Sequence, residues 1–226
     1  MEPAWMSEWW TYRLEDFLLF SPRVYWRMFE LANAAFWPLH LLTLAAGLAI
    51  VLLVLRRPRR HGLWIALVLA ALFAFVGWSL LWSRYAAINW AIAYVAPAFG
   101  LQALLLAIGG AARGSLAFDR RDIAGRLGLL IALAGLVVYP LLPPLFGRPW
   151  ASAEVFGIAP DPTAIAALGV LLAASGGLVP LLLVIPLLWL LLSGLTLHAM
   201  GDPQAWLPLL AAATTVAALT LRRIAR

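Results

Sequence analysis

The sequence contains no cysteine and no lysine, and only 12% of its 226 residues are charged. Without cysteine, the chain can form no disulfide, no thiolate metal site, no cysteine nucleophile and no covalent haem attachment through a CxxCH motif. The missing lysine leaves all 16 basic residues as arginine, which we read as coding bias in a GC-rich genome rather than as a functional signal. Also missing are a phosphate-binding glycine loop, HExxH, a nucleophile elbow and a Rossmann fingerprint. The scarcity of charge excludes most: an ordinary soluble domain is roughly half apolar and about a quarter charged. Here 65% of residues are hydrophobic and the mean hydropathy is +0.94, more apolar surface than a soluble fold can hide.

What is present is a series of long apolar runs. A bilayer-spanning helix needs about 20 apolar residues, so the chain has room for six to eight spans and no extramembrane domain. The net charge of +6 and pI near 10.7 would suggest nucleic acid in a soluble protein. Here the arginines sit in short clusters between apolar runs, the signature of membrane topology, so the expected partner is the lipid bilayer and not nucleic acid.

The fold class expected is an all-α membrane protein of about seven transmembrane helices, six being the alternative, preceded by an interfacial amphipathic helix. It divides into an N-terminal surface segment (1–35), a helical bundle (36–221) and a basic tail (222–226). The start lacks the charged flank, apolar run and small-residue cleavage site of a signal peptide, so it is expected to be retained. Trp5, Trp9, Trp10 and Tyr12 prefer the headgroup zone. Ser21 and Pro22 make a helix start, with Ser as N-cap and Pro in the first turn. Tyr25, Met28, Phe29, Ala32 and Phe36 then recur on one face, with Arg23, Arg27 and Glu30 opposite. Pro38 marks a bend into the first span. The spans are expected near 36–55, 63–83, 87–112, 127–146, 163–176, 178–200 and 203–221. The fifth is short before Ser175-Gly176-Gly177; it starts earlier, near Phe156, or is re-entrant.

Arginine decides the topology, because cytoplasmic loops accumulate it. With seven spans, eleven arginines (56, 57, 59, 60, 113, 120, 121, 126, 222, 223 and 226) fall on one side and five (13, 23, 27, 84 and 148) on the other, with eight of the ten acidic residues. This places the N-terminus outside and the C-terminus in the cytoplasm. Trp5, Trp9, Trp10, Trp26, Trp37, Trp82, Trp90, Trp150 and Trp206 all fall near the outer interface.

No Asp, Glu or Arg falls well inside an assigned span, which argues against a proton pump or carboxylate-coupled carrier. The intramembrane polar residues are neutral: Thr43, Ser79, Gln102, Ser175, Ser193, Thr196, Thr214 and Thr215, read as interhelical hydrogen-bonding groups. Gln102 is the one that also suits solute contact. His40 and His198, the latter followed by Met200, are the weak metal or haem candidates; no cofactor or metal is expected. Arg84 and Asn89, in the turn between the second and third spans, can contact an anionic solute or headgroup. Glu154 and Asp161, in the acidic loop before the fifth span, read as a turn and helix start or as a contact for a solute or partner.

At Trp9-Trp10-Thr11-Tyr12-Arg13, Asp16-Phe17-Leu18-Leu19-Phe20-Ser21-Pro22-Arg23, Arg84-Tyr85-Ala86-Ala87-Ile88-Asn89-Trp90 and Phe156-Gly157-Ile158-Ala159-Pro160-Asp161-Pro162-Thr163, the chain resembles an uncharacterised family of bacterial integral membrane proteins, a domain of unknown function. The resemblance implies a bacterial cytoplasmic membrane location and an aromatic residue as the family pattern at position 198, where this chain has His. It implies no activity. Three readings follow: a carrier or facilitator of a small neutral solute, a non-catalytic membrane subunit docking a partner at the outer face, and a haem or copper protein. An enzyme is not expected, since acid-base or nucleophilic chemistry needs tuned groups within reach of each other. Oligomeric state is not encoded in any feature of the sequence.

Overall fold

A computed structural model of the chain describes residues 13–57, 60–112, 116–118 and 122–224. The tryptophans at 5, 9 and 10, Tyr12, and the arginines at 59, 113, 120, 121 and 226 lie outside the described residues. The described residues are helical, with no strand beyond two isolated bridges.

Helix α1 (Pro22–Phe36) starts as the sequence predicts: the Ser21 hydroxyl accepts from the Val24 N–H at 3.4 Å and Pro22 occupies the first turn. Its buried face is Tyr25, Met28, Phe29 and Ala32. After a break at Trp37-Pro38 come α2 (Leu39–Arg56), α3 (His61–Ile88), α4 (Ile92–Ala111), α5 (Ile123–Leu141), the short α6 (Pro160–Ala173), α7 (Val179–Ala199) and α8 (Trp206–Ile224). Six helices are long and apolar enough to cross a membrane, and α6 is the exception. The protein is therefore an all-α, multi-pass membrane protein.

The two ends of the bundle are tied by different contacts. At one, which we call the arginine end, Arg222 donates from Nε and Nη2 to the Asp122 carboxylate at 2.9 and 3.0 Å, and Ala117 pairs with Ser175. At the other, the α1 end, the connection from 142 to 155 lies beneath α1: Asn33 Nδ2 donates to the carbonyls of Ala151 and Ala153 at 2.8 and 2.7 Å. Between these ends the chain passes seven times. The fifth pass reaches the arginine end through Ser175, and its helix α6 is preceded by a tight turn at 156–159, where the Ile158 and Ala159 N–H groups both donate to the Val155 carbonyl at 3.0 and 2.8 Å.

That turn ahead of a short helix is tolerated because protein surrounds it. Non-helical backbone at membrane depth survives only where buried in protein or lining a cavity, and every residue of α6 is buried. Thr163 Oγ1 accepts from the Gly157 N–H at 2.8 Å and donates to the Ala159 carbonyl at 2.6 Å. Gly157 has φ +76°, and a Cβ there would stand 2.8 Å from Thr43 Cβ. Small residues let α6 press against α5: a Cβ on Gly169 would meet Ala132 N and Gly128 O at 2.3 Å. The second hairpin departs from expectation, since α3 runs 28 residues through Ile88 and α4 starts at Ile92 rather than 87. At 1.5 Å per residue, α3 exceeds the roughly 30 Å hydrocarbon core, so its last turns stand at the interface.

Three helices contain π-helical stretches: Gly77–Tyr85 in α3, Leu105–Ala112 at the end of α4 and Ala134–Val138 in α5. In α3 the loosened carbonyls are met by side chains, Ser83 Oγ to Trp78 O at 2.7 Å and Arg84 Nη1 to Ser79 O. Such stretches are rare and concentrate at functional sites.

A buried polar cluster at the α1 end

Asp161, expected at the outer rim in a turn and helix start ahead of the fifth span, is instead fully buried. It follows Pro160 in the first turn of α6, and α6 starts inside the protein rather than at its surface, so the loop read as an outer turn is enclosed. Three donors converge on the carboxylate: Trp189 Nε1 to Oδ1 at 2.7 Å, Tyr139 Oη to Oδ2 at 2.8 Å and Ser193 Oγ to Oδ2 at 2.6 Å. A carboxylate is acceptor-only, and this one joins α5, α6 and α7. Its depth is read from its partners, Trp189 lying near the midpoint of α7.

Above Asp161 lies a second carboxylate, Glu154, only 1% exposed. Its Oε1 accepts from Gln204 Nε2 at 3.1 Å, and the Gln204 amide oxygen accepts from Arg148 Nη2. Gln204 sits in a turn at Pro203–Ala205, where Asp202 caps the start of the last pass by accepting from the Gln204 N–H at 2.8 Å. The Arg148 guanidinium lies over the Trp26 ring, 3.4 Å from its centroid, with Asp202 Oδ2 at 4.0 Å from Nε. Glu154 Oε2 and Arg148 Nε and Nη1 are buried without a hydrogen-bond partner among the described residues. Burial pushes the Glu154 carboxyl well above the usual carboxylate range, and the nearby Asp161 charge adds to the shift while Arg148 opposes it.

Tyrosines close the cluster. Tyr25 of α1 contacts Tyr85 of α3 edge-on, ring centroids 5.5 Å apart. Asn89 and Thr196 are within hydrogen-bonding reach of Tyr85, and Gln204 of Tyr139. Burial, then the charges of Glu154 and Tyr85, raise the Tyr25 hydroxyl well above its ordinary value. The cluster is thus roofed by α1, floored by Asp161, and bordered by the π-helical stretches of α3 and α5.

The sequence-derived candidates fall in different places. Glu154, Asp161 and Asn89 come together here; Asn89 Oδ1 also accepts from the Ala91 N–H at 3.1 Å, shaping the α3–α4 turn. Arg84 lies outside the cluster, its guanidinium 4.5 Å from the Phe36 ring centroid. Gln102 is fully buried between α4 and α7 and donates to the Leu182 carbonyl at 2.9 Å. Pro186, four residues on, has no N–H for that carbonyl, so Gln102 repairs a gap in α7. His40 Nε2 lies 3.0 Å from Asn33 Oδ1, while His198 meets Trp206 edge-on and Met200 is half-buried beyond it. The two histidines have separate neighbours, and no three His, Cys, Asp or Glu gather as a metal site among the described residues.

The neutral intramembrane groups divide. Ser193 and Gln102 bond across helices as expected, but Thr43, Thr196 and Thr215 bond back to carbonyls of their own helix, at His40, Leu192 and Ala211, as Thr can within a helical turn. The residues that the sequence reading missed are Tyr25, Tyr85, Tyr139, Arg148, Trp189 and Gln204. One signal pointed to them: Arg148 and Gln204 are polar residues next to prolines in short connections at the end that carries most of the acidic residues.

No curated protein and no solved structure matches the chain. A family model does, over residues 22–226, which takes in the segments 84–90 and 156–163 and leaves out 9–13. That match covers nearly the whole chain, including every residue of the buried cluster, and the chain belongs to DUF6064, a family of unknown function.

Proposed function

We propose that the protein is a carrier or facilitator of a small, net-neutral polar solute, with the α1-end cluster as its binding locus. The observation that carries this reading is the buried acid and base with open hydrogen-bonding capacity, Glu154 Oε2 and Arg148 Nε and Nη1. Buried polar groups are nearly always satisfied, and leaving one open costs about 1–3 kcal/mol. A solute offering both donors and acceptors would meet both. Two further features support the reading. The fifth pass is a short helix whose N-terminus opens inside the protein, as the half-helices of transporters do at their binding sites, and π-helical stretches flank the same place.

We infer that the arginine end faces the cytoplasm and the α1 end the outside of a bacterial inner membrane; the arginine distribution supports that orientation. Exposed Trp37, Trp82, Trp90, Trp150 and Trp206 at the α1 end form the aromatic belt of that outer interface.

The test is osmotic stopped-flow light scattering on proteoliposomes with glycerol, urea, glycine and xylose as probes. At least one probe should cross several-fold faster than in protein-free vesicles. Equal rates for all four would overturn the reading. If another protein also co-purified in fixed ratio, a subunit role with a partner docked at the α1 end would replace it.

A further inference from the structure

A second feature of the α1 end stands apart from the buried cluster and is independent of the carrier reading. Between α1 and the last turns of α3 runs a groove of about 530 Å³, within the range of ligand sites. Arg23, Arg27 and Arg84 line it, and no acidic side chain does so among the described residues. Arg27 is half-committed to Glu30 through a 2.6 Å ion pair. Arg84 is held by its contact with the Ser79 carbonyl and its position over Phe36, which fixes the direction of its fork. Arg23 is exposed and makes no ion pair among the described residues.

Apart from Ser83, whose hydroxyl is taken up by the Trp78 carbonyl, the rest of the groove is apolar. Val24, Met28, Leu31 and Ile88 line it, and Val24 and Leu31 are 43% and 54% exposed. Exposed Trp82 and Trp90 flank the same α3–α4 turn, and indole rings settle at the headgroup level. A groove with fixed cations at one edge and open aliphatic surface along the other, at that level, has the polarity of a single lipid. Arg matches a phosphate with paired N–H groups. Inorganic phosphate would leave the aliphatic edge uncovered, and a zwitterionic headgroup would bring its own cation against three guanidinium groups. We propose that this groove binds an anionic phospholipid, its phosphate on Arg23, Arg27 and Arg84 and an acyl chain along Val24, Met28 and Leu31.

Native mass spectrometry of the delipidated full chain, offered equimolar phosphatidylglycerol and phosphatidylcholine, tests this. A basic side chain near an anionic lipid contributes about a fivefold preference, so the wild type should retain phosphatidylglycerol at least fivefold over phosphatidylcholine. Arg23→Gln/Arg27→Gln, which alters only surface positions, should cut the preference at least twofold, and adding Arg84→Gln should abolish it. The triple Arg→Lys variant should keep part of it, separating charge from fold. Equal retention of the two lipids by the wild type, or an unchanged preference in the triple Gln variant, would overturn the assignment. So would displacement of phosphatidylglycerol by millimolar inorganic phosphate, which would make the groove a soluble-anion site.

Discussion

Removing the Asp161 carboxylate is the perturbation whose size the structure defines best. Asp161→Ala leaves the Tyr139 hydroxyl, the Trp189 indole N–H and the Ser193 hydroxyl without their acceptor in a fully buried place. A neutral interhelical hydrogen bond in a membrane protein contributes only about 0.6 kcal/mol on average. Bonds to a charged acceptor contribute roughly 1.5–3 kcal/mol, and each stranded buried donor costs about 1–3 kcal/mol. Since the three share one acceptor they do not add in full, and we expect a loss of roughly 3–6 kcal/mol. Asp161→Asn keeps one acceptor oxygen but turns an NH2 toward at least one donor, so about half that loss is expected. Trp189→Phe removes a single donor, and its effect should shrink by about 1 kcal/mol when Asp161 is already Asn. Equilibrium unfolding in mixed micelles with increasing SDS measures the four variants against wild type. An Asp161→Ala variant within about 1 kcal/mol of wild type would refute the idea that this carboxylate ties α5, α6 and α7 together.

Other expectations follow from single contacts. Burial raises the Glu154 carboxyl above its ordinary value of 4.5, so between that value and the raised one the folded protein binds a proton that the unfolded chain has lost. Thermal stability should therefore fall as pH rises from about 4.5 upward, and Glu154→Gln should flatten that slope in a differential scanning fluorimetry series. An unchanged slope would place the titration elsewhere. Gln102→Leu leaves the Leu182 carbonyl without a donor at a cost of about 1–3 kcal/mol. Adding Pro186→Ala should restore much of the loss by returning a helical N–H, and additive effects of the two changes would separate the residues. Gly169→Ala drives a methyl group into the backbone of Gly128 and Ala132, with an expected loss of about 1–3 kcal/mol or more, read from the same SDS unfolding. A neutral outcome would mean that α5 and α6 can part without consequence.

The sequence shows the helices and their ends because both rest on local physics. Apolar runs of span length, the Ser21-Pro22 start and the Tyr25, Met28, Phe29 and Ala32 face need no knowledge of distant residues. The cluster is different. Asp161 between two prolines has the sequence of a surface helix start, and a helix does start there; its depth depends on α6 being enclosed by α5, α7 and α8. Trp189 and Ser193 lie 28 and 32 residues away from it in the chain, at positions that read as packing. Gln102 was legible as a buried polar group, but its task is set by Pro186 on another helix. The π-helical stretch Ala134–Val138 leaves no mark in hydropathy, since Ala-Gly-Leu-Val-Val is as apolar as its surroundings, whereas Gly77–Tyr85 stands out only by its Ser79, Ser83 and Arg84. Arg148 and Glu154 are legible as charges in a connection, and their burial follows only from α1 folding over them.

The most direct test of a solute site in this cluster is probe flux through proteoliposomes containing wild type, Glu154→Gln or Arg148→Gln, each checked for monodisperse, folded protein before reconstitution. For whichever probe the wild type passes, both variants should lose most of the flux above protein-free vesicles. Wild-type flux in both variants would contradict the account and move the solute path away from Glu154 and Arg148.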